Sequence, residues 1–235
     1  MVTEYDLKKS EIYADEMKLD VATLRPIIID LTKNTKGKKV LDYGCGSGRF
    51  SKLMAEYGAN VIATDISKSQ IELAKKINSH KNILYEVGGE TILQKFDNNL
   101  FDVILMNMVF PSLDGTEQAE YIIKEIGRIL KTNGTLIISI LHPLFLHPIQ
   151  KVNDRATDFK FENYFKEGHN YSAEAITTKN RIMNFRETHF SLNFLSKLLE
   201  KNNFYIKKIR EGNQVPEMKV YVPIYLVFEC IKLDI

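Results

Sequence analysis

Between residues 39 and 140, short apolar runs alternate with longer stretches whose apolar positions return every three or four residues. The runs "KVLDY", "VIAT", "ILYEV", "FDVILM" and "TLIISI" predict five strands, and their near-continuous apolar character suits strands covered on both faces. Between them, "SGRFSKLMAEYG" sets Phe50, Leu53, Met54 and Tyr57 at helical spacing and ends at Gly58. "SKSQIELAKKINSH" opens with Ser67 and Gln70 in capping-box spacing, which leaves Asp65 without a capping duty. "TEQAEYIIKEIGRILKTNG" is expected to run as a helix to Asn133-Gly134. Strand and helix in alternation predict an α/β fold, a parallel sheet with helices on both faces.

The flanks follow other rhythms. Residues 1–35 read as a helical cap ahead of the first strand, with Leu19, Ala22, Leu24, Ile27, Ile28 and Leu31 as apolar positions lying over the sheet or a ligand. Residues 142–186 show no clear period yet are rich in aromatic side chains. A structureless loop of that length is rare in a compact domain, so the segment reads as an inserted subdomain or lid. Order returns with "SLNFLSKLLEKNNF" as a helix and "YIKKIRE" and "VYVPIYLVFECI" as strands. The short link through Gly212 and Asn213 favours an antiparallel pair over another crossover.

Composition narrows the function classes. With 235 residues, 44% of them hydrophobic, the chain holds one large domain with a real core. A net charge of +2 exerts no strong pull toward nucleic acid or an acidic membrane. Two cysteines without metal-ligand spacing fit a reducing compartment and argue against a disulfide framework. The N-terminal residues are charged throughout and no apolar run approaches the length of a membrane span. These features predict a cytoplasmic protein, a monomer or homodimer.

The stretch "VLDYGCGSGRF" places glycines at 44, 46 and 48 directly after the first predicted strand. Such a turn brings bare backbone amides and a helix N-terminus toward a ligand at the carboxyl end of the strand. Gly44 and Gly46 carry no Cβ, so the backbone can take positive φ and approach a ligand closely. A dinucleotide fingerprint would need a further glycine where Arg49 stands. Asp42 lies two residues before Gly44, and Asp65 ends the second predicted strand 21 residues after Gly44, where a carboxylate can take ribose hydroxyls.

At these residues a family resemblance becomes specific. "VLDYGCGSGRFSKLMAEYGANVIATDIS" resembles the first motif and following acidic strand of class I S-adenosylmethionine-dependent methyltransferases, and "FDVILMN" and "IGRILKTNGTLIISI" resemble that family's fourth strand and the helix, turn and fifth strand after it. The resemblance implies a Rossmann-like, seven-stranded mixed sheet with helices on both faces and its last strand antiparallel. It implies S-adenosylmethionine as cofactor and S-adenosylhomocysteine as product. Asp42, Gly44, Cys45 and Gly46 would border the methionyl end, Asp65 the ribose hydroxyls and Ile66 the adenine face. Glu90 or Thr91 would meet the adenine amino group, and Asn107 would border the space between cofactor and acceptor. Tyr5 and Tyr13 are candidates to cap the cofactor from the N-terminal segment.

Methyl transfer from a sulfonium is an in-line displacement that asks the protein mainly to orient the attacking atom. A general base serves only where the nucleophile must shed a proton. His142 in "LHPLF" and His189 in "ETHFSLNF" are the candidate bases, since histidine titrates in the right range and both fall near the carboxyl edge of the sheet. Tyr164 and Tyr171 are candidates to gate an acceptor pocket. The segment "NMVFPS" after the fourth strand lacks the Asn-Pro-Pro-Tyr with which that family commonly methylates amide or base nitrogen. With the near-neutral charge, this points away from nucleic acid and toward a small molecule with an O, N or C nucleophile. An NAD(P)-dependent oxidoreductase and a non-catalytic S-adenosylmethionine-binding module stay open beside that reading.

Overall fold

The computed structural model describes residues 20–146, 155–212 and 222–234. The strands β1 (Lys39–Tyr43), β2 (Asn60–Asp65), β3 (Ile83–Val87), β4 (Phe101–Asn107) and β5 (Leu130–Leu141) pair in parallel. The inserted segment contributes β6 (Arg155–Thr157), β7 (His169–Ile176) and β8 (Ile182–His189), and the chain returns to the main sheet as β9 (Phe204–Glu211) and β10 (Tyr225–Lys232). The main sheet has seven strands in the order β3-β2-β1-β4-β5-β10-β9, with the last strand, β10, antiparallel to both neighbours. This is the mixed sheet that the sequence implied.

Five α-helices cover it: α1 (Arg25–Thr32), α2 (Arg49–Glu56), α3 (Lys68–Ile77), α4 (Gly115–Ile129) and α5 (Leu192–Lys201). A π-helical turn at Asp20–Leu24 leads into α1; Tyr5 and Tyr13 lie outside the described residues. Because successive strand side chains point to opposite faces, each central strand feeds two apolar layers. Leu41, Ile104 and Ile138 pack with Ile122 of α4 and Leu198 of α5. Val40, Leu105 and Ile137 pack with Ile28 of α1, Met54 of α2 and Ile71 of α3. Among the described residues, no helix is long and apolar enough to cross a membrane.

Two local expectations need correction. The helix expected to reach Gly134 ends at Ile129. There the Arg128 guanidinium is held by the carbonyls of Leu93 and Phe96, and Leu130 already pairs with Phe101 as strand, with Asn133 at φ +62°. The capping box at α3 is half formed. Ser67 Oγ accepts from Gln70 N (3.3 Å), but the Ser67 amide donates to Asp65 Oδ1 (2.9 Å) instead of to the Gln70 side chain.

The segment without a readable period is itself built, as a separate antiparallel sheet in the order β6-β7-β8. On β7 the buried positions alternate, with Tyr171, Ala173 and Ala175 inward. Alanine gives little apolar contrast, which is why the alternation is faint in sequence. The sheet docks on the segment after β4, where Thr188 Oγ1 donates to the Leu113 carbonyl (2.5 Å) and Phe190 meets Phe110 edge to face.

Candidate functional site

The glycine turn after β1 is tied down from two sides. The amides of Gly44 and Cys45 both donate to the Thr64 carbonyl at the end of β2 (2.8 and 2.9 Å). The Gly46 amide donates to Asp65 Oδ2 (2.8 Å). Gly44 has φ +77°, and a Cβ there would stand 2.7 Å from Val109 Cγ2. At Gly48, with φ +78°, a Cβ would fall inside the contact distance of the Tyr85 hydroxyl. These positions need glycine for both backbone conformation and space.

The two acids of the turn have different duties. Asp65 accepts the Gly46 and Ser67 amides, one on each oxygen; burial pushes its carboxyl up and those two bonds pull it back. It therefore braces the turn while retaining lone pairs toward the cleft. Asp42 is 2% exposed and accepts the Ser51 hydroxyl (2.5 Å), tying β1 to the first turn of α2. Burial pushes its carboxyl up to about 7, against the pull of Ser51 and with a further push from the Asp65 charge. Asp42, expected to border a ligand, lies beneath the turn and lines neither cavity.

Two cavities meet over this turn. A wide cleft of about 460 Å³ lies toward β2 and β3, walled by Asp65, Ile66, Gln70, Gly89, Glu90 and Thr91. Ile66 is 47% exposed, and Glu90 is steadied by Gln118 Nε2 (2.7 Å). A smaller hollow of about 100 Å³ lies on the other side, walled by Asp20, Arg25, Arg49, Phe185, Glu187 and Tyr225. The Tyr225 hydroxyl donates to the Asp20 carboxylate. Gly44, Gly46, Asn107, Met108 and Ser112 border both spaces. At this junction Ser139 Oγ donates to Asn107 Oδ1 (2.8 Å) and accepts from Met108 N (2.9 Å), holding Met108 at φ +56°. Cys45 lines the smaller hollow, and burial pushes its thiol far up, which leaves it an uncharged turn residue.

Several expected site residues are not brought to these spaces. His142 Nδ1 accepts from Leu144 N (3.1 Å), its Nε2 lies 3.0 Å from Glu211 Oε1, and the ring lines neither cavity. His189 places Nε2 2.7 Å from the Tyr164 carbonyl and is walled in by Phe159 and Tyr164. Burial pushes both imidazoles below the usual histidine range, so at neutral pH both are uncharged. Tyr164 packs on Phe161, with its hydroxyl taking the Leu192 amide (3.2 Å), and Tyr171 packs on Phe159. Neither tyrosine lines the two main cavities. His189, Tyr164 and Tyr171 pack around the inserted sheet, whereas His142 sits at the end of β5 against Glu211 of β9.

Residues 41–138 match the model of the methyltransferase domain family. The match covers less than half of the chain, and the chain as a whole carries the fold of solved S-adenosylmethionine-dependent methyltransferases. An S-adenosylmethionine-dependent methyltransferase from Mesorhizobium loti superposes with a TM-score of 0.65 at 18% identity, covering 91% of this chain and 100% of that one. Magnesium protoporphyrin IX methyltransferase from Synechocystis, crystallised with S-adenosylhomocysteine, gives 0.59 at 17% identity, covering 98% and 89%. In sequence, a ubiquinone biosynthesis O-methyltransferase of Pelagibacter ubique is 39% identical over 113 residues, which is 47% of this chain and 45% of that protein. An N-demethylindolmycin N-methyltransferase of Streptomyces griseus is 29% identical over 123 residues, 52% of each. The chain spans about half the length of the curated relatives it matches.

The wide cleft fits the cofactor of that class. Bare glycine backbone, a carboxylate at the end of β2 and an exposed aliphatic face at Ile66 supply what a methionyl group, a ribose and an adenine need. Gln70 adds an observation that sequence reasoning missed. It is 2% exposed on the cleft wall, and neither its amide oxygen nor its nitrogen has a protein partner. An unpaired buried amide costs about 1–3 kcal/mol, which a bound heterocycle with its own donors and acceptors offsets. The signal was present in the sequence, because Gln70 occupies a helix position whose i+1 and i+4 neighbours, Ile71 and Ala74, are core.

Proposed function

We propose that this chain transfers the methyl group of S-adenosylmethionine to a small-molecule acceptor by in-line displacement. The observation that carries this reading is the pair of cavities opening onto one floor at Gly44, Gly46, Asn107 and Met108, one suited to a nucleoside and the other to a second reactant. When bound, the sulfonium cofactor supplies an electrophilic methyl group. Asp65 is assigned the ribose hydroxyls, Ile66 the adenine face, Glu90 and Thr91 the adenine amino edge, and the Gly44 to Gly46 backbone the methionyl end. Asn107 and Met108, fixed through Ser139, separate the two reactants.

The relatives in sequence, an O-methyltransferase of ubiquinone biosynthesis and an N-methyltransferase of N-demethylindolmycin, favour a small organic acceptor over nucleic acid. The inserted sheet, which supplies Phe185 and Glu187 to the smaller hollow, is assigned the role of acceptor lid. Two free thiols, Cys45 and Cys230, suit the reducing cytoplasm. An oxidoreductase reading is weaker, because Arg49 stands where a pyrophosphate turn wants glycine and opens α2 directly over the turn.

Calorimetric titration with S-adenosylmethionine and with NAD tests the reading. The wild type is expected to bind the first and ignore the second, and Asp65→Ala should weaken binding about 100-fold, the worth of two charge-assisted hydrogen bonds. Binding of NAD alone would sink the proposal.

A further inference from the structure

We infer that Glu187 is the group that takes the proton from the acceptor, and that the acceptor is therefore a small molecule methylated at an O–H or N–H. The inference rests on the methyl-transfer reading and adds to it the proton acceptor and the substrate class.

The smaller hollow shares its floor with the cofactor cleft, so whatever fills it lies beside the methyl donor. Beyond that floor, Cys45, Arg49, Phe50 and Pro111 lie within the matched residues, and the other walls come from outside them: Asp20 and Arg25 from the segment leading into α1, Phe185 and Glu187 from β8, and Tyr225 from β10. These walls are this chain's own, and they are where acceptor chemistry must be decided. The acids among them are Asp20, which takes the Tyr225 hydroxyl, and Glu187. Glu187 is 6% exposed and sits on a regular strand.

The strand geometry explains why this residue reaches the hollow while the expected base does not. Side chains two apart on a strand share a face, so Met183, Phe185, Glu187 and His189 form one row of β8. His189 ends that row against the Tyr164 carbonyl, beneath the aromatic cluster. Glu187, one step back, stands directly across from Tyr171 and points with Phe185 into the hollow. The next residue, Thr188, anchors β8 to the carbonyl of Leu113, which lines the cofactor cleft. Glu187 is thereby held in fixed register with the methyl donor's site, as positional catalysis requires.

The charges around it suit a proton acceptor. Arg25 and Arg49 line the same hollow as Glu187 and Asp20, with Tyr225, Cys45 and Tyr171 as the other titratable neighbours. Two cations balance two anions, so a neutral acceptor enters without a large electrostatic cost. In the reaction, the acceptor's oxygen or nitrogen lone pair forms the bond to the methyl carbon as the carbon–sulfur bond breaks. That bonding pair remains on sulfur, leaving a neutral thioether, and the O–H or N–H proton passes to a carboxylate oxygen of Glu187.

The test uses the full chain with S-adenosylmethionine and a panel of small phenols, alcohols and primary or secondary amines, beside tertiary amines and thioethers that have no proton to give. Release of S-adenosylhomocysteine is expected with at least one protic compound and with no proton-free one. Glu187→Gln should lower kcat by about 10²- to 10⁴-fold and abolish its rise with pH, while the calorimetric Kd for S-adenosylmethionine stays within about threefold. Glu187→Asp should keep a rising pH limb at reduced kcat, and it decides alone if Glu187→Gln does not fold. Wild-type kcat and pH profile in either variant overturns the assignment. So does turnover of proton-free acceptors only, or of no protic compound by cofactor-bound wild type. A wild type that fails to bind S-adenosylmethionine removes the methyl-transfer reading itself, and calorimetry separates that outcome from the others.

Discussion

The two cavities over the glycine turn are built in opposite ways. The cofactor cleft is made within residues 43–122, from the ends of β1 to β4 and the segments that directly follow each of them. The smaller hollow draws its walls from five segments that span most of the chain: 20–25, 44–50, 107–112, 185–187 and Tyr225. Local elements can carry a motif because strand, turn and helix fix their own geometry within a few residues. A space enclosed by remote segments has no motif, since no residue in it needs a particular neighbour in the chain. The wide cleft lies wholly within the residues that match the methyltransferase domain family, whereas the smaller hollow draws also on the insertion and on segments near both ends of the described chain.

Four experiments break or sharpen that contrast, beginning with the largest effect. Asp42 lies beneath the cofactor side, with its folded carboxyl raised to about 7 from an ordinary 3.8. The folded protein holds a proton there that the unfolded chain has released, so this contribution is complete below about pH 4 and lost as pH rises through 7. Denaturant titrations of Asp42→Asn between those limits should lose up to about 4 kcal/mol of pH-dependent stability change relative to wild type. An unchanged slope would mean that the floor under the turn is not a buried, protonated brace.

Gly48→Ala comes next. Its φ of +78° and the Tyr85 hydroxyl leave no room for a methyl group, so thermal or denaturant unfolding should show a loss of about 2–4 kcal/mol. A near-neutral result would deny that the local turn is over-determined. Gln70→Leu should raise or leave unchanged the melting temperature of the free protein while weakening S-adenosylmethionine about 10-fold, since the variant removes an unpaired amide that only the ligand satisfies. Equal affinity in both proteins would assign Gln70 to packing.

The smallest effect belongs to the remote side. Thr188→Val removes the bond from the inserted sheet to Leu113 and should cost about 1 kcal/mol of stability. Hydrogen exchange in β7 and β8 should quicken while exchange in β1 and β4 does not. Equal acceleration in both sheets would make the insertion part of the main cooperative unit.

How far each feature was legible follows the same divide. The five parallel strands were readable because burial on both faces leaves unbroken apolar runs such as "FDVILM". The end of α4 was not, because Arg128 and the pairing of Leu130 with Phe101 stop the helix before its own residues do. Asp65 was readable by position alone, yet its hold on the Gly46 and Ser67 amides was hidden, since the spacing of Ser67 and Gln70 suggested a self-sufficient cap. His142 and His189 drew attention because histidine titrates near neutrality, a property that burial takes from them despite the upward pull of Glu211 on one and of the Tyr164 carbonyl on the other. Glu187 carried a quieter signal, an acid in phase with the inward row of "MNFRETH", which only a known strand makes visible.

The sequence by itself determined the α/β order, the antiparallel last strand, the positive-φ turn at Gly44 and the acid at the end of β2. Each of these is set by side-chain period or by backbone sterics acting over a few residues. Tertiary structure alone decided that Asp42 faces inward, that the insertion is a sheet docked on Leu113, and that Glu187 in place of His189 reaches the smaller hollow. Those outcomes depend on which distant surfaces close over one another and on the one-residue phase of a strand, and neither quantity is written in any local stretch of the chain.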